Sequence, residues 1–188
     1  MGNRRLEIYS EFYRAITADL FLFLNILGFT PTKQQAQLCA LVQTRSPRIA
    51  VKSGQGPGKS TIAGLIVAWR LLRHRGARTV VCAPTMRQAK DVWLKELKKQ
   101  LNRSCVPKSL RKVFKFTGTG VGLYQHSPSD WGAILVPATS SEASQGQHDV
   151  NLDVVFEEAS GIPREIAEQF EGTLKNPNAL FLKIGNPN

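Results

Sequence analysis

The stretch Ile49-Ala50-Val51-Lys52-Ser53-Gly54-Gln55-Gly56-Pro57-Gly58-Lys59-Ser60-Thr61-Ile62 constrains the fold of this chain more than any other. A short run of strand formers leads into a glycine-rich loop. A lysine and two hydroxyls follow, and then an apolar-periodic helix over Ala63 to Leu72. That order predicts a strand, a phosphate loop and a helix N-terminus. Glycine lets successive backbone N–H groups bend into one concavity, and the positive end of the helix dipole adds to their field. Ser53, Gly54, Gln55, Gly56, Pro57, Gly58, Lys59, Ser60 and Thr61 are therefore the candidate nucleotide-binding residues. Lys59 would reach the β- and γ-phosphates, and Ser60 would ligate Mg²⁺. Ser53 stands where the usual pattern opens with glycine, and Pro57 removes one N–H from the loop.

A second stretch supplies what such a loop lacks. Leu152-Asp153-Val154-Val155-Phe156-Glu157-Glu158-Ala159-Ser160 reads as a buried strand that ends in two carboxylates. Nucleotide hydrolysis needs one carboxylate for the hydrated metal and another to orient the attacking water. Neighbouring residues at a strand end point to opposite sides, which assigns Glu157 to Mg²⁺ and Glu158 to the water. Asp153 is the rival for the metal. It lies four residues upstream, ~13 Å from the carboxyl end of the strand at ~3.3 Å per residue, and ligands of open α/β sheets bind beyond the carboxyl ends.

The remaining periodicities alternate strand and helix. Leu6 to Leu27 is expected as one helix on the stripe Ile8, Phe12, Ile16 and Leu20, stopped by Gly28. Pro31 and Thr32 open a helix over Ala36 to Val42. A side-chain amide just upstream of a phosphate loop, here Gln35, can read the adenine edge because it both donates and accepts. Thr79 to Ala83 is a strand ended by Pro84-Thr85. Met86 to Leu101 is a helix with Ala89, Trp93, Leu97 and Leu101 on one face and Lys90, Lys95, Lys98 and Lys99 on the other. A hairpin is expected near Val113 to Phe116 and Leu123 to Gln125, then a strand over Trp131 to Val136. The run from Ala138 to Asn151 reads as an irregular polar loop. A helix follows from about Pro163 to Leu174, and a last strand covers Ala179 to Ile184. Asn186, just beyond that strand, can sense a γ-phosphate or serve as an ordinary turn asparagine. The βαβα order predicts an α/β fold with a mostly parallel central sheet flanked by helices and an N-terminal helix. Residues 1–47 form the helical region with the adenine-side glutamine, and 48–188 form the core of a single domain.

Charge narrows the partners. The chain carries 25 Lys and Arg against 14 Asp and Glu, for a formal net charge of +11. Residues 1–120 hold 22 of the basic and 5 of the acidic side chains. A body so basic suits a polyanion, with nucleic acid the first candidate. Arg70, Arg73, His74, Arg75 and Arg78 cluster at a helix C-terminus, where cations complement the dipole. Cys39, Cys82 and Cys105 show no paired spacing and are expected as buried, reduced thiols. The apolar run Leu20 to Leu27, interrupted by Asn25, is too short to cross a bilayer, so no membrane partner is expected, and no secretion signal is visible.

Together these motifs resemble the N-terminal ATPase domain of the tailed-phage terminase large subunit, the DNA-packaging motor. The resemblance runs through Gln35 in its Pro-Thr-x-x-Gln spacing, the loop Ser53 to Ser60, the strand end Ala83-Pro84-Thr85, Phe156-Glu157-Glu158-Ala159-Ser160-Gly161-Ile162-Pro163, and Ile184-Gly185-Asn186-Pro187. It implies a P-loop NTPase fold of the RecA/ASCE-like kind, hydrolysis of ATP with Mg²⁺, and translocation of double-stranded DNA through a portal into a procapsid. It also implies a small terminase subunit as partner, a ring of copies of the chain on the portal, and action in the host cell cytoplasm. The closing motif couples hydrolysis to movement in that family, which points to Asn186. A nuclease domain normally follows, and no downstream acidic cluster for one is present in this sequence. Two departures stand out. Glu157 occupies a position where the family usually has aspartate. Ser144 to Asn151 lacks the arginine that many members offer to a neighbour's γ-phosphate, which leaves Arg87 and Arg164 as finger candidates by position.

Two other readings fit part of the pattern. The first motor domain of a superfamily 2 helicase shares the glutamine, the Pro-Thr strand end and the acidic pair, though that class usually continues Asp-Glu with His or Asp. A basic DNA-binding module with a vestigial nucleotide site would account for the charge alone.

Overall fold

A computed structural model describes residues 2–44, 48–54, 56, 58–139, 151–174, 176–177 and 179–186, with the side chains of 2–9 and 173 left aside. Seven strands form one sheet in the order β1-β7-β6-β2-β5-β4-β3. The strands are β1 (Arg48–Lys52), β2 (Arg78–Ala83), β3 (Phe114–Phe116), β4 (Gly120–Leu123), β5 (Gly132–Pro137), β6 (Leu152–Phe156) and β7 (Phe181–Gly185). The first five in that order pair in parallel, and β4 and β3 add an antiparallel edge. The central strands β2 and β6 are almost wholly buried, as strands covered on both faces must be.

Helices cover the two faces. α4 (Lys59–Arg73) is apolar on nearly every side, with Ile62 to Leu71 buried. It packs against α1 (Gly2–Ala18), α2 (Leu20–Ile26) and α3 (Lys33–Gln43). On its other flank lies a long helical run of α5 (Met86–Gln88), a π-helical segment Ala89–Leu94 and α6 (Lys95–Leu101). Leu97 sits against Gly64, where an added Cβ would meet it at 3.3 Å. The opposite face is closed by α8 (Arg164–Thr173), whose Phe170 meets Phe156 edge-on at 5.6 Å, and Phe156 in turn meets Phe181 at 5.0 Å. Such edge-to-face pairs suit the ring quadrupoles.

The N-terminal helix expected over Leu6 to Leu27 is two helices. Asp19 leaves helical geometry at φ −127° and ψ 115°, and its carboxylate accepts from the N–H groups of Phe21 and Leu22. An aspartate able to cap competes with continuing the helix. The apolar stripe survives the break, since Ile16 and Leu20 are both fully buried. The helix expected over Ala36 to Val42 starts earlier, at Lys33, under the cap of Thr32.

The second hairpin strand is β4 at Gly120–Leu123, upstream of the expected Leu123 to Gln125. The glycines explain the shift. A Cβ at Gly120 would lie 2.0 Å from the Ala133 carbonyl oxygen, and one at Gly122 would lie 2.2 Å from that of His126. Gly120 and Gly122 therefore belong to a strand that needs close backbone approach. A short helix, α7 (Lys108–Arg111), precedes the hairpin.

Cys39 and Cys82 are buried, and burial pushes each thiol up to about 12. Cys105, also expected inside, is exposed. Its thiol still bonds the Leu27 carbonyl at 3.3 Å, beside Gly28 at φ 64°. The loop expected over Ala138 to Asn151 falls, apart from its ends, outside the described residues. Among the described residues no helix is long and apolar enough to cross a membrane.

Candidate functional site

The parallel strands β1, β7 and β6 bring their carboxyl ends to one edge of the sheet. β7 lies between the other two, so the loop after β1 and the acidic pair after β6 stand two strand spacings apart, about 10 Å. That gap is bridged by side chains.

The loop itself is built as the glycines require. Gly56 at φ 86° and Gly58 at φ 72° occupy left-handed backbone that few other residues adopt. A Cβ at Gly58 would also stand 2.9 Å from the Gln35 amide nitrogen and displace it. Ser53 donates its N–H to the Gly185 carbonyl at 3.2 Å, which ties the loop to β7. Gln55 and Pro57 lie outside the described residues. The helix starts at Lys59, four residues before the expected Ala63, so Lys59, Ser60 and Thr61 form its first turn.

Each of these three side chains reaches a different element. The Lys59 ammonium donates to the Ser53 carbonyl at 3.2 Å, the Gly54 carbonyl at 2.7 Å and the Asn186 side-chain oxygen at 2.8 Å. The Ser60 hydroxyl donates to Glu157 Oε1 across the β7 strand. The Thr61 hydroxyl donates to Glu96 Oε1 at 3.3 Å, and Gln100 donates to the same oxygen at 2.8 Å. Asn186 is thus in direct contact with the loop lysine.

The two carboxylates differ in setting, but both lie past the end of β6 and Glu158 is in left-handed backbone, so strand alternation does not set their directions. Glu157 is 2% exposed, and its Oε2 is buried without a hydrogen-bond partner. Burial pushes its carboxyl up to about 7. The Ser60 hydrogen bond opposes that rise, Glu158 adds to it by repulsion, and Lys59 counters it. A buried carboxyl oxygen with no donor is costly, and the other oxygen of the same group holds Ser60. A serine hydroxyl and one carboxylate fit a magnesium ion that keeps most of its other ligands as water and phosphate. Among the described residues no cluster of three or more His, Cys, Asp or Glu is placed to hold a metal alone.

Glu158 is half-exposed and lines one cavity of about 560 Å³ with Gly56, Gly58, Lys59, Ser60 and Thr61. Its backbone sits at φ 51° and ψ 54°. Left-handed backbone at a non-glycine residue costs roughly 1–2 kcal/mol, and such strain gathers at sites where a side chain must be aimed. Nothing in the residue pattern signals it. The following turn is packed tightly: an added Cβ at Gly161 would meet Pro84 Cγ at 2.7 Å, and one at Gly185 would meet the Ala159 N at 3.2 Å.

Gln35 has a local duty that its spacing from the loop does not disclose. It is the third residue of α3 and completes a reciprocal capping box. Thr32 Oγ1 accepts from the Gln35 N–H at 3.3 Å, and Gln35 Oε1 accepts from the Thr32 N–H at 2.9 Å. Its Nε2 then donates to the Gly58 carbonyl at 3.3 Å. It also borders a groove of about 790 Å³ with Leu38, Leu41, Ile49, Val51 and Ile62.

Asp153 is placed away from this edge. It accepts from Arg70 at 2.6 and 2.8 Å and from the Leu180 N–H at 2.7 Å, all buried. Arg70, expected in a basic cluster serving the helix dipole, is thereby an internal partner. Arg73 bonds the carbonyls of Thr17 and Ala18 and lies 4.9 Å from the Trp69 ring. Arg87 and Arg164 are exposed and pair along their own helices with Asp91 at 3.4 Å and Glu168 at 2.7 Å. The lysine face of the run 86–101, legible in the sequence only as the polar side of a helix, contributes Lys95 and Lys99 to the cavity wall. No local signal could have shown which wall they would line.

Residues 50–182 match the family described as "RNA cytidine acetyltransferase NAT10/TcmA, helicase domain". A curated relative, the probable terminase large subunit of Enterobacteria phage P7, is 26% identical over 167 residues, covering 86% of this chain and 33% of its own length. The chain therefore spans about a third of that relative. Among solved structures, the large terminase ATPase domain of Thermus phage P74-26 superposes with a TM-score of 0.62 at 20% identity, over 88% of this chain and 68% of that one. The large terminase of a thermophilic bacteriophage gives 0.65 at 15% identity, over 84% and 39%. The same terminase in complex with ADP gives 0.62 at 16% identity, over the same shares. These likenesses show the P-loop fold expected from the sequence.

Proposed function

This chain belongs to the family described as the NAT10/TcmA helicase domain and resembles the ATPase domain of phage large terminases, and from that premise we propose that it is a Mg²⁺-dependent ATP hydrolase whose turnover drives double-stranded DNA into a procapsid. The observation that carries the reading is the join between Ser60 and Glu157, with an orphaned buried oxygen beside it. Two distant segments meet there, and a hydroxyl beside an incompletely bonded carboxyl supports a site for a metal-bound triphosphate.

The roles follow from the contacts. The loop N–H groups and the α4 N-terminus cradle the phosphates. Lys59 leaves the carbonyls of Ser53 and Gly54 and moves onto the β- and γ-phosphates. Ser60 and Glu157 would hold the metal. Bound Mg²⁺ would neutralise charge on the phosphate oxygens. Glu158 orients the attacking water and accepts its proton. The base lies in the apolar groove beside α3, with the Gln35 amide toward its polar edge. The Lys59 ammonium has three N–H donors, so as two of them exchange carbonyls for phosphates its bond to Asn186 shifts with it, and Asn186 reports nucleotide state to the segment after β7. That shift is the coupling step.

The whole assembly is proposed by likeness alone: duplex DNA, a portal protein, a small terminase subunit, and a ring of copies acting in the host cytoplasm and on the procapsid. The chain is read as one ATPase domain, with any nuclease activity lying elsewhere. Arg87 or Arg164 could answer a neighbouring subunit's nucleotide, since both are exposed.

The test is turnover of Mg·ATP by the wild-type chain and by Lys59→Ala. Wild-type turnover that EDTA removes, and that Lys59→Ala lowers to background, is expected. Turnover undiminished in Lys59→Ala sinks the reading. Stimulation by duplex over single-stranded DNA separates packaging from the helicase reading, which calls for the reverse. Salt-dependent DNA binding without any turnover would favour the vestigial module.

A further inference from the structure

The phosphate cavity has a second wall that belongs to none of the motifs. Asp91, Val92, Lys95, Glu96 and Lys99 face Lys59, Ser60, Thr61 and Glu158 across it. The wall is fixed close to the loop. Glu96 accepts from Thr61 at 3.3 Å, one residue from the metal-side serine, and Leu97 packs on Gly64. An extended lysine reaches ~6 Å from its Cα at ordinary bond lengths, and Lys95, next to Glu96 in the chain, lines the same cavity as the loop residues.

Most charged groups of this cavity are already engaged. Asp91 pairs with Arg87 at 3.4 Å. Glu96 accepts from Thr61 and Gln100, and Lys99 lies 3.7 Å from its other oxygen. Lys59 is held by two carbonyls and Asn186. Among the described residues two charged side chains on the lining have no hydrogen bond or ion pair: Lys95 on the helix wall and Glu158 on the strand wall. Both line the same cavity as the loop residues Gly56 and Gly58. The π-helical segment Ala89–Leu94 ends immediately before Lys95, and an extra residue in a turn re-aims the side chains beyond it.

We propose that Lys95 is a phosphate-contacting residue of the same subunit, meeting the terminal phosphate of a bound nucleoside triphosphate from the helix wall opposite Glu158. The proposal rests on the nucleotide-site reading above and adds to it the source of a cation in cis. Charge spreads over the γ-phosphoryl oxygens in the transition state, and a positioned cation there favours turnover. A diphosphate has no group at that place, so the contact discriminates between the two nucleotides.

Binding of Mg·AMPPNP and Mg·ADP by calorimetry, together with steady-state turnover, tests this on Lys95→Ala, Lys95→Gln and Lys95→Arg, with Lys90→Ala as a control outside the cavity. Lys95→Ala and Lys95→Gln should weaken AMPPNP about tenfold or more, as loss of one charge-assisted contact does. ADP affinity should move less than about twofold, and turnover should fall at least about tenfold. Lys95→Arg should recover most of the loss, and Lys90→Ala should match wild type. Equal losses for ADP and AMPPNP, or no loss for either, overturn the proposal while wild-type turnover keeps the site reading. A drop in duplex DNA binding with unchanged nucleotide affinity assigns Lys95 to a nucleic-acid face and also overturns it. A wild-type chain that binds no nucleotide overturns both.

Discussion

Asp153 and Glu157 stand at opposite ends of β6 and are both almost wholly buried, at 3% and 2% exposure. Their surroundings differ. Asp153 receives two hydrogen bonds from Arg70 and one from a backbone N–H, so its charge is paired and its oxygens are occupied. Glu157 receives one from a serine, and its second oxygen has none. A strand can tolerate a saturated buried charge as part of the fold. An unsaturated one is tolerated where a ligand completes it. A saturated carboxylate thus stands near the amino end of β6 and an unsaturated one just beyond its carboxyl end, the side on which parallel sheets hold their ligands.

The amino end should respond to mutation through stability. Asp153→Ala leaves the Arg70 guanidinium buried and unpaired, which typically costs about 3–5 kcal/mol. At ~2–4 °C per kcal/mol for a chain of this size, the melting temperature should fall by roughly 6–20 °C. ATP affinity measured well below the melt should be unchanged. A variant that melts like wild type but loses nucleotide would erase the contrast and move Asp153 into the site. The carboxyl end should respond the other way. Glu158→Gln should slow turnover about 10²–10³-fold, ~3–4 kcal/mol of barrier, with ATP still bound and the melt unmoved. Normal hydrolysis by Glu158→Gln removes it from the water-orienting role.

Glu157→Gln sharpens the contrast further. Gln keeps an acceptor for Ser60 and removes the buried charge. Mg²⁺-dependent nucleotide affinity should fall about 10–100-fold, in the range seen when groups supporting a metal are altered. Stability without nucleotide should hold or rise, most clearly above about pH 7, where the Glu157 carboxyl would otherwise ionise in the interior. A clear loss of stability would mean that Glu157 serves the scaffold as Asp153 does.

The sequence discloses the carboxyl end far better than the amino end, for physical reasons. A phosphate loop calls for glycines such as Gly56 and Gly58 and an ammonium such as Lys59, so residue type and spacing alone raise that expectation. The same holds for a strand that closes on Glu157-Glu158, and four residues of strand are enough to set Asp153 aside. What Asp153 does instead depends on Arg70, a residue 83 positions away, and no local pattern reports that. Arg70 reads as one cation of a cluster. Lys95 reads as one lysine of a polar helix face for the same reason: the wall it lines is chosen by how α6 docks on α4. The break at Asp19 is hidden because a stripe of apolar residues runs on through its cap, and periodicity alone does not register a change of axis. Gln35 carries two meanings at once. Its spacing suggests a nucleotide contact, whereas the third position of a helix after Thr32 also predicts the capping box that is present.

The smallest effect tests the backbone of the contrast. Glu158 holds left-handed geometry, while Asp153 sits within regular strand. Removing the carboxylate by Glu158→Ala and by Glu158→Gly abolishes the same chemistry but treats the backbone differently. Alanine keeps the Cβ that the left-handed region penalises, and glycine does not. Glu158→Gly should therefore be the more stable of the two by about 1 kcal/mol, or ~2–4 °C in the melt. The gain is set against glycine's greater freedom in the unfolded chain, so any excess of glycine over alanine is a lower bound on the strain. If alanine is the more stable by a similar margin, the turn after β6 is relaxed. The aim of Glu158 would then be set by its packed neighbours Pro84 and Gly161 and not by stored backbone strain.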